Sequence, residues 1–283
     1  LSSLAVEGAE GFYRGNLAKN IAEDMRIAKL IVTGDDLSSF QPQIQDSISI
    51  NYRGFEIKQT PPNSTGFTML QELKILEQFD LSNIAFESAE LIHLMVEAKK
   101  QAFFDRERFG SDPLYVDIPI DELLSNSYAI ELAKKICLEK STTVPLAEIN
   151  SLNGDTTYFC IVDREGNAVS AIQSINSVFG SGITGSKTGI LFNNRMAYWH
   201  LDEAHNNVLL PGKRVRHTMN APIVLRDGNL WGIFGTPGAD NQVQVNFQIA
   251  VAMMDYGLDP QQAVEVARWS SSQIGQGANW PHN

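Results

Sequence analysis

The chain changes character at Asn153-Gly154-Asp155-Thr156-Thr157-Tyr158-Phe159, where a loop of small and polar residues turns into a strand. Helix signals dominate before this stretch, and strand and turn signals follow it. Thr156 lies at the junction and has two interpretations. It is a β-branched residue that opens a strand, or an N-terminal nucleophile exposed when the chain cleaves itself after Asp155. The rest of the chain has to decide between them.

The bulk composition is that of an acidic globular protein. Hydrophobic residues make up 43% of the 283 residues, which is enough for a sizeable core. The formal net charge of −11, with no clustered basic stripe, argues against nucleic acid as a partner and favours a small molecule. No segment reaches the roughly eighteen consecutive apolar residues of a membrane span.

The two cysteines and the first residue complete this general picture. Only Cys137 and Cys160 are present, so the sequence predicts no disulfide framework, and Cys160 is expected to be buried in an apolar strand. The chain begins at Leu1 without an initiator methionine, which indicates a fragment and leaves the compartment undetermined.

The half before Thr156 is predicted to be mainly helical, with one hairpin at Ser47–Thr60 around the turn Asn51–Gly54. Apolar periodicity and capping residues place the helices. They are Asn16–Leu30, a short turn at Asp35–Leu37, Phe67–Phe79, Ser88–Phe109 and Ile120–Ile136. A polar connection, Cys137–Asp155, then leads to the junction.

The half after the junction begins with strands and ends with helices. Predicted strands are Thr156–Asp163, Ala168–Ile175, Ile190–Asn194, Ile223–Arg226 and Leu230–Thr236. One helix follows Asp240 and stops at Gly257, and another opens at Asp259-Pro260 and runs to Trp269. Helices, then antiparallel strands, then helices predict a layered α+β architecture.

Three common functional motifs do not fit the sequence. Gly180–Thr188 lacks a lysine directly after glycine and a following helix, so it is not a phosphate-binding loop. No Gly-x-Ser-x-Gly run offers a serine nucleophile elbow. His200 and His205 look isolated on a loop, so no metal site is predicted.

The stretch Thr236-Pro237-Gly238-Ala239-Asp240 is more informative, because glycine-containing backbone here joins a strand to the start of a helix. Free N–H groups at such a turn can face an anion or a developing oxyanion. A turn that needs glycine for its shape alone is the alternative.

Several short motifs occur in an order typical of one family. Around and after the junction they are Asp155-Thr156-Thr157, residues 163–167, Phe179-Gly180-Ser181-Gly182, Gly189-Ile190-Leu191-Phe192-Asn193-Asn194, Pro211-Gly212-Lys213-Arg214 and Gly235-Thr236-Pro237-Gly238. Upstream they are Asn51-Tyr52-Arg53-Gly54, Pro61-Pro62-Asn63-Ser64-Thr65-Gly66, Asp105-Arg106 and Asp112-Pro113. In these motifs essentially the whole chain resembles the γ-glutamyltranspeptidase family of N-terminal nucleophile hydrolases.

The resemblance implies a four-layered αββα sandwich and autocatalytic cleavage of Asp155-Thr156. Residues 1–155 would then be the C-terminal part of a large subunit, and residues 156–283 a small subunit incomplete at its C-terminus. The two would form one structural domain. The implied partners are these two subunits of one precursor and a small-molecule amide substrate, and no cofactor is implied.

The resemblance also assigns roles within the site. Thr156 is the nucleophile, and Ser174 lies where the family has a threonine that hydrogen-bonds it. Gly238 and Ala239 occupy the place of paired glycines whose N–H groups form the oxyanion hole. Asn176 matches a substrate-binding asparagine. His217 and Thr218 take the place of two serines that hold the substrate's α-carboxylate.

Two positions depart from the family pattern. Arg195 and Tyr198 stand where the family has an acidic or amide residue and then an aspartate, which bind the substrate's α-ammonium. A guanidinium cannot accept a hydrogen bond from an ammonium, and an unpaired buried charge costs about 3–5 kcal/mol. Two interpretations of Arg195 stay open. It pairs with an acidic acyl group of the substrate, or it forms a salt bridge within the loop.

Three functions therefore remain. The first is hydrolysis and transfer of γ-glutamyl groups such as that of glutathione. The second is hydrolysis of a non-glutamyl amide, such as oxamate, a glutaryl amide or a cephalosporin side chain, which Arg195 and Tyr198 favour. The third is an uncleaved, non-catalytic binding protein that kept the fold.

Overall fold

A computed structural model describes residues 1–142 and 154–271, with side chains from residue 156 onward in the second range. Its contacts divide the chain into two compact units. Unit 1 comprises Leu1–Gln45 and Ile175–Arg195, and unit 2 comprises Asp46–Ser174 and Met196–Asn283.

Unit 1 contains three helices, α1 (Ser2–Tyr13), α2 (Asn16–Ile27) and α3 (Gly34–Ser39). The predictions of α2 and α3 are confirmed, and α2 ends three residues earlier than expected. A capping box between Thr33 and Asp36 starts α3. Helix α1 was not predicted, because it buries only Gly11 and so has no apolar stripe.

The elements of unit 2 form two sheets with helices packed around them. In chain order they are β1 (Ile48–Tyr52), β2 (Phe55–Gln59), α4 (Gly66–Leu76), α5 (Ala89–Phe109), α6 (Ile120–Leu123), α7 (Asn126–Ala133), β3 (Gly154–Val162), β4 (Ala168–Ser177), β5 (Ile223–Arg226), β6 (Asn229–Ile233), α8 (Asn241–Met254) and α9 (Pro260–Glu265). Strand β4 continues beyond Ser174 into unit 1. One sheet is antiparallel with the order β1-β2-β5-β6, and β3 pairs with β4 in a second.

Helix α4 lies at the centre of unit 2. It contacts β1 and β2 as well as α5, α7 and α8, and all of its residues are buried. Leu70 and Leu73 pack there with Ile57 of β2 and Phe247 of α8 in one apolar cluster. Burial on this scale, at roughly 25 cal/mol per Å² of apolar surface, is the main force that holds these layers together.

Serine residues that cap helices explain where two of the helix predictions succeeded and failed. Helix α5 begins one residue after the predicted Ser88, which is its N-cap and accepts through its hydroxyl from the N–H of Leu91. The single helix predicted at Ile120–Ile136 is wrong. It is split into α6 and α7, because Ser125 turns away from helical geometry and caps the second helix through the N–H of Tyr128.

Three further expectations are corrected. Ile190–Asn194 is not a strand; it contributes only an isolated bridge between Leu191 and Thr184. The last helix ends at Glu265, before Trp269. Cys160 is exposed, because β3 belongs to a two-stranded sheet that leaves several of its apolar side chains exposed.

The mixture of sheets and helices confirms the predicted α+β class. Among the described residues, no helix combines the length and the apolar character needed to cross a membrane.

Candidate active site

Thr156 and Ser174 face each other across the β3–β4 pair. The hydroxyl of Thr156 donates to Oγ of Ser174 at 2.9 Å, and both residues are partly buried. The strands are joined by a short turn in which Asp163 accepts from the backbone and side chain of Asn167. Thr157, the next residue, is exposed. The hairpin therefore singles out the first threonine and gives it a hydroxyl partner.

Tyr158 connects this strand with the turn that follows β6. It lies two residues after Thr156 and so on the same face of β3, and its hydroxyl is 2.8 Å from that of Ser170. Its ring packs directly on Gly235, where any Cβ would overlap it. Glycine at 235 is thus required for β3 to approach the Gly235–Ala239 turn so closely.

Gly238 and Ala239 form the turn that leads into α8. Both have positive φ, +133° and +52°, and the latter is unusual for alanine. Their carbonyl groups accept from the N–H groups of Asn241 and Gln242. Among residues 1–142 and 154–271, neither N–H of the pair has a hydrogen-bond acceptor. These two donors are therefore available to a ligand.

His217 and Thr218 lie on a segment bound to the Pro61–Gly66 loop. His217 donates its backbone N–H to Asn63 and accepts through its carbonyl from Thr65. The ring Nδ1 of His217 accepts from the N–H of Met219 at 3.1 Å, so the neutral ring carries its proton on Nε2. Thr218 is 1% exposed. The segment offers an imidazole donor, whereas Thr218 presents little surface.

Asn176 belongs to unit 1 and adopts a strained backbone conformation. Its φ is +80°, a region in which asparagine is the most tolerated residue after glycine. Its side chain donates to Oδ1 of Asn194 at 2.9 Å, which also accepts from the N–H of Ser177. Such strain persists where neighbouring groups fix it, and it clusters at ligand-binding positions.

Comparison with known proteins identifies the family. The family model described as γ-glutamyltranspeptidase matches residues 1–278. The chain belongs to the γ-glutamyltranspeptidase family. It is 40% identical over 95% of its length to the glutathione hydrolase-like YwrD proenzyme of Bacillus subtilis, and 32% identical over 95% to the glutathione hydrolase proenzyme of Escherichia coli. It spans about half the length of each relative, 50% and 49% respectively.

A solved structure agrees with this family assignment. The cephalosporin acylase from Bacillus halodurans superposes with a TM-score of 0.85 at 32% identity, over 96% of this chain and 49% of the acylase chain. The fold is therefore that of the N-terminal nucleophile hydrolases, as the resemblance implied.

The two positions that depart from the γ-glutamyltranspeptidase pattern are largely buried. Arg195, in unit 1, is 9% exposed, and its backbone N–H donates to Oδ1 of Asn193. Tyr198, in unit 2, is 1% exposed and lies under the guanidinium of Arg216 at 5.8 Å. The ring of Tyr198 thus offers little surface to a substrate in this chain. The substrate-binding roles of both residues remain predictions.

His200 and His205 are not isolated, which corrects the sequence analysis. Their rings stack at 3.4 Å, and both Nε2 atoms face Oε1 of Glu107, at 3.1 and 3.4 Å. Burial lowers the pKa of His200. Because the five-residue spacing of the histidines lies on a loop and Glu107 is distant in sequence, periodicity could not reveal this cluster.

The same three side chains have the composition of a metal site, but their hydrogen bonding does not suit one. Nδ1 of His205 accepts from the N–H of Asn207 at 2.9 Å, which places the proton on Nε2, the atom that faces Glu107. Arg216 donates to the other oxygen of Glu107 at 2.8 Å. The arrangement is that of a carboxylate held by cationic and N–H donors.

A second missed feature is a carboxylate clamp in unit 1. Asp24 of α2 accepts from the backbone N–H groups of Lys187 and Thr188 and from the hydroxyls of Ser186 and Thr188, at 2.7–3.1 Å. Burial alone would raise the pKa of Asp24, but these hydrogen bonds outweigh it and lower the pKa. The glycine-rich loop that resembled a phosphate site therefore binds the protein's own carboxylate.

The predicted cleavage site is only partly described. The backbone of Asp155 lies in β3, but its side chain and the preceding connection, residues 143–153, are outside the described residues. The predicted boundary at Asp155-Thr156 remains a prediction about cleavage. By contacts, residues on both sides of it fall within unit 2.

Proposed function

We propose that the protein carrying this chain is an autoprocessing N-terminal threonine amide hydrolase. The observation that carries the proposal is the 2.9 Å hydrogen bond between the Thr156 and Ser174 hydroxyls at the start of β3. Family membership and the two N–H donors of Gly238 and Ala239 support it.

The first reaction is cleavage of the chain itself. The Thr156 hydroxyl attacks the carbonyl carbon of Asp155, and the C–N bond of that peptide breaks as its nitrogen takes up a proton. Water then hydrolyses the resulting ester. The products are a new carboxylate at Asp155 and a free α-amine on Thr156, so two polypeptides of one precursor become partners in the mature enzyme.

The second reaction is amide hydrolysis or transfer. An alcohol is a weak nucleophile at neutral pH, but an α-amine with a reference pKa of about 7.7–8.0 can accept its proton. The Thr156 oxygen attacks the substrate carbonyl, and the N–H groups of Gly238 and Ala239 stabilise the oxyanion. The amine leaves protonated, and water or an acceptor amine releases the acyl group from threonine.

For the acyl group, the names of the relatives and the residue at position 195 point in different directions. The names glutathione hydrolase and glutathione hydrolase-like favour a γ-glutamyl substrate. Arg195, in a position where the family recognises an ammonium group, favours an acyl group that carries a carboxylate instead. A non-glutamyl amide is therefore the second candidate, and the similarity to a cephalosporin acylase agrees with it.

The test of the nucleophile compares two adjacent threonines in the full-length protein. Thr156→Ala is expected to abolish both the appearance of two polypeptides and amide hydrolysis. Thr157→Ala, at an exposed position, is expected to retain both within about threefold. Cleavage or turnover that persists in Thr156→Ala would contradict the proposed nucleophile.

The test of the substrate uses the processed protein. A γ-glutamyl anilide with a dipeptide acceptor reports the first candidate, and oxamate and a glutaryl amide report the second. Turnover of the anilide with transfer to the dipeptide would exclude the second candidate. If the purified full-length protein instead stays uncleaved and turns over none of these substrates, the result would support the non-catalytic binding protein.

A further inference from the structure

Helix α8 has an Asp–Arg contact at each of its ends. The contact at its N-terminal end joins Arg106 of α5 to Asp240. Nη1 of Arg106 donates to Oδ1 of Asp240 at 2.5 Å, and the two side chains are 0% and 3% exposed. The guanidinium also stacks 4.2 Å from the ring centre of Phe103. A bond of this kind, excluded from water and packed on an aromatic ring, holds its partner in one geometry.

Asp240 follows directly after Gly238 and Ala239. It is the N-cap residue of α8, but its side chain caps no helical N–H and is committed to Arg106 instead. Ala239, next to it, has the positive φ that alanine rarely adopts. Strained backbone of this type needs neighbouring contacts that fix it. Asp240, which forms the ion pair, directly follows Ala239, which has the strained backbone.

We propose that Arg106, acting through Asp240, is a positioning residue that keeps the N–H groups of Gly238 and Ala239 aligned toward the substrate's developing oxyanion. This inference rests on the proposed amide hydrolysis. In the proposed reaction Arg106 touches neither the substrate nor the nucleophile. It acts on the two N–H donors through its ion pair with Asp240. Because preorganised donors act through their fixed direction, a small rotation of this turn lowers the rate without preventing folding.

The matched control lies at the other end of the same helix. Asp255 is the C-cap residue of α8, its side chain is 5% exposed, and it pairs with Arg53 at 3.0 Å and the hydroxyl of Tyr52 at 2.6 Å. Asp240→Asn and Asp255→Asn therefore each remove the charge of a largely buried carboxylate that pairs with an arginine at one end of α8, although Arg53 is itself more exposed than Arg106. Only the first pair adjoins the Gly235–Ala239 turn, which contains the two proposed oxyanion donors.

The experiment measures kcat and KM of both variants in the processed full-length enzyme. Asp240→Asn is expected to lower kcat by about 10- to 100-fold, less than the 100- to 1,000-fold for loss of an oxyanion donor, with KM changed less than threefold. Asp255→Asn is expected to keep both constants within threefold, even where its Tm falls equally. Equal kcat values in the two variants would overturn the proposal.

A second readout does not depend on activity. Amide hydrogen exchange of the peptide covering residues 236–242 is expected to be faster in Asp240→Asn than in wild type and unchanged in Asp255→Asn. Unchanged exchange in both would overturn the positioning role. An inactive wild-type protein would contradict the proposed function, and the exchange comparison would still decide whether the pair fixes the turn.

A third variant covers the case in which Asp240→Asn does not fold. Arg106→Lys keeps the charge but replaces the planar fork with a point donor. It is expected to lower kcat and raise exchange at residues 236–242 in the same direction. Wild-type kcat and exchange in a folded Arg106→Lys enzyme would contradict the proposal.

Discussion

At the scale of single residues, the proposed attack by Thr156 depends on the contact between the Thr156 and Ser174 hydroxyls. Ser174→Ala is expected to lower kcat of the processed enzyme by about 10- to 100-fold, because the attacking oxygen loses a partner worth roughly 1.5–3 kcal/mol when charge develops on it. Steady-state kinetics with a chromogenic amide measures the change.

Ser174→Thr provides the control for that prediction. Threonine keeps a hydroxyl at this position, as in the family pattern, so kcat of Ser174→Thr is expected to stay within about threefold of wild type. Equal activities of Ser174→Ala and wild type would show that the 2.9 Å contact is not used in the reaction.

Local motifs predicted only part of the site. Thr156 and Ser174 stand in ordered motifs, and the structure brings them together. The clamp at Asp24 and the pair formed by Arg106 and Asp240 join residues more than a hundred positions apart. Side chains that bind at such separations leave no spacing pattern in one sequence, so only the fold reveals them.

At the scale of elements, the position of β3 depends on its close approach to the turn after β6. Gly235→Ala is expected to destabilise the protein by about 1–3 kcal/mol, because its Cβ would overlap the ring of Tyr158 in an already packed region. Since Tyr158 and Thr156 share a face of β3, amide hydrolysis is expected to fall as well. Thermal unfolding and kcat measure the two effects.

Gly232→Ala is the matched control for Gly235→Ala. Gly232 lies in β6, and a Cβ there meets no atom within 4 Å. The substitution is therefore expected to change stability by less than about 1 kcal/mol and to leave kcat unchanged. Equal losses in the two variants would contradict the proposed contact between strand and turn.

Elements with strong local signals were predicted well. The hairpin of β1 and β2, the capped helix α5 and the strand β5 lie where turn residues, caps and apolar periodicity place them. Two of the errors fell on α1, which buries almost nothing, and on Ile120–Ile136, where Ser125 divides the helix. Helix α1 lacks the apolar pattern that was used to predict helices. In Ile120–Ile136 that pattern is present, but the preference of Ser125 for a capping position outweighs it.

At the scale of the whole molecule, burial of a carboxyl group makes stability depend on pH. Glu72 of α4 is fully buried, and among the described residues neither of its oxygens has a hydrogen-bond partner. Burial raises the pKa of Glu72 to about 8, against the opposing charges of Lys99 and Arg106. A carboxyl with a raised folded pKa contributes no penalty below about 4.5 and weakens the fold as pH rises toward about 8.

Glu72→Gln is expected to remove this dependence. At pH 7 the substitution should raise the free energy of unfolding by an amount on the order of 3 kcal/mol at most, and at pH 4.5 by little. Lys99, whose pKa burial lowers to about 7, acts in the opposite direction only above that pH. Thermal unfolding midpoints at pH 5 and pH 7 measure the difference.

Glu131→Gln is the control for the buried carboxyl. Glu131 is exposed on α7, so the same change of charge is expected to shift both midpoints by little. A Glu72→Gln protein whose midpoint falls between pH 5 and pH 7 as steeply as that of wild type would contradict the assignment.

Self-cleavage at Thr156 is tested by the mass and the N-terminal sequence of the purified full-length protein. Self-cleavage by a threonine nucleophile predicts two polypeptides, with a new N-terminus at Thr156 and an acyl adduct on that residue during turnover. A single intact chain, or a new N-terminus at any other residue, in a sample that hydrolyses amides would contradict it.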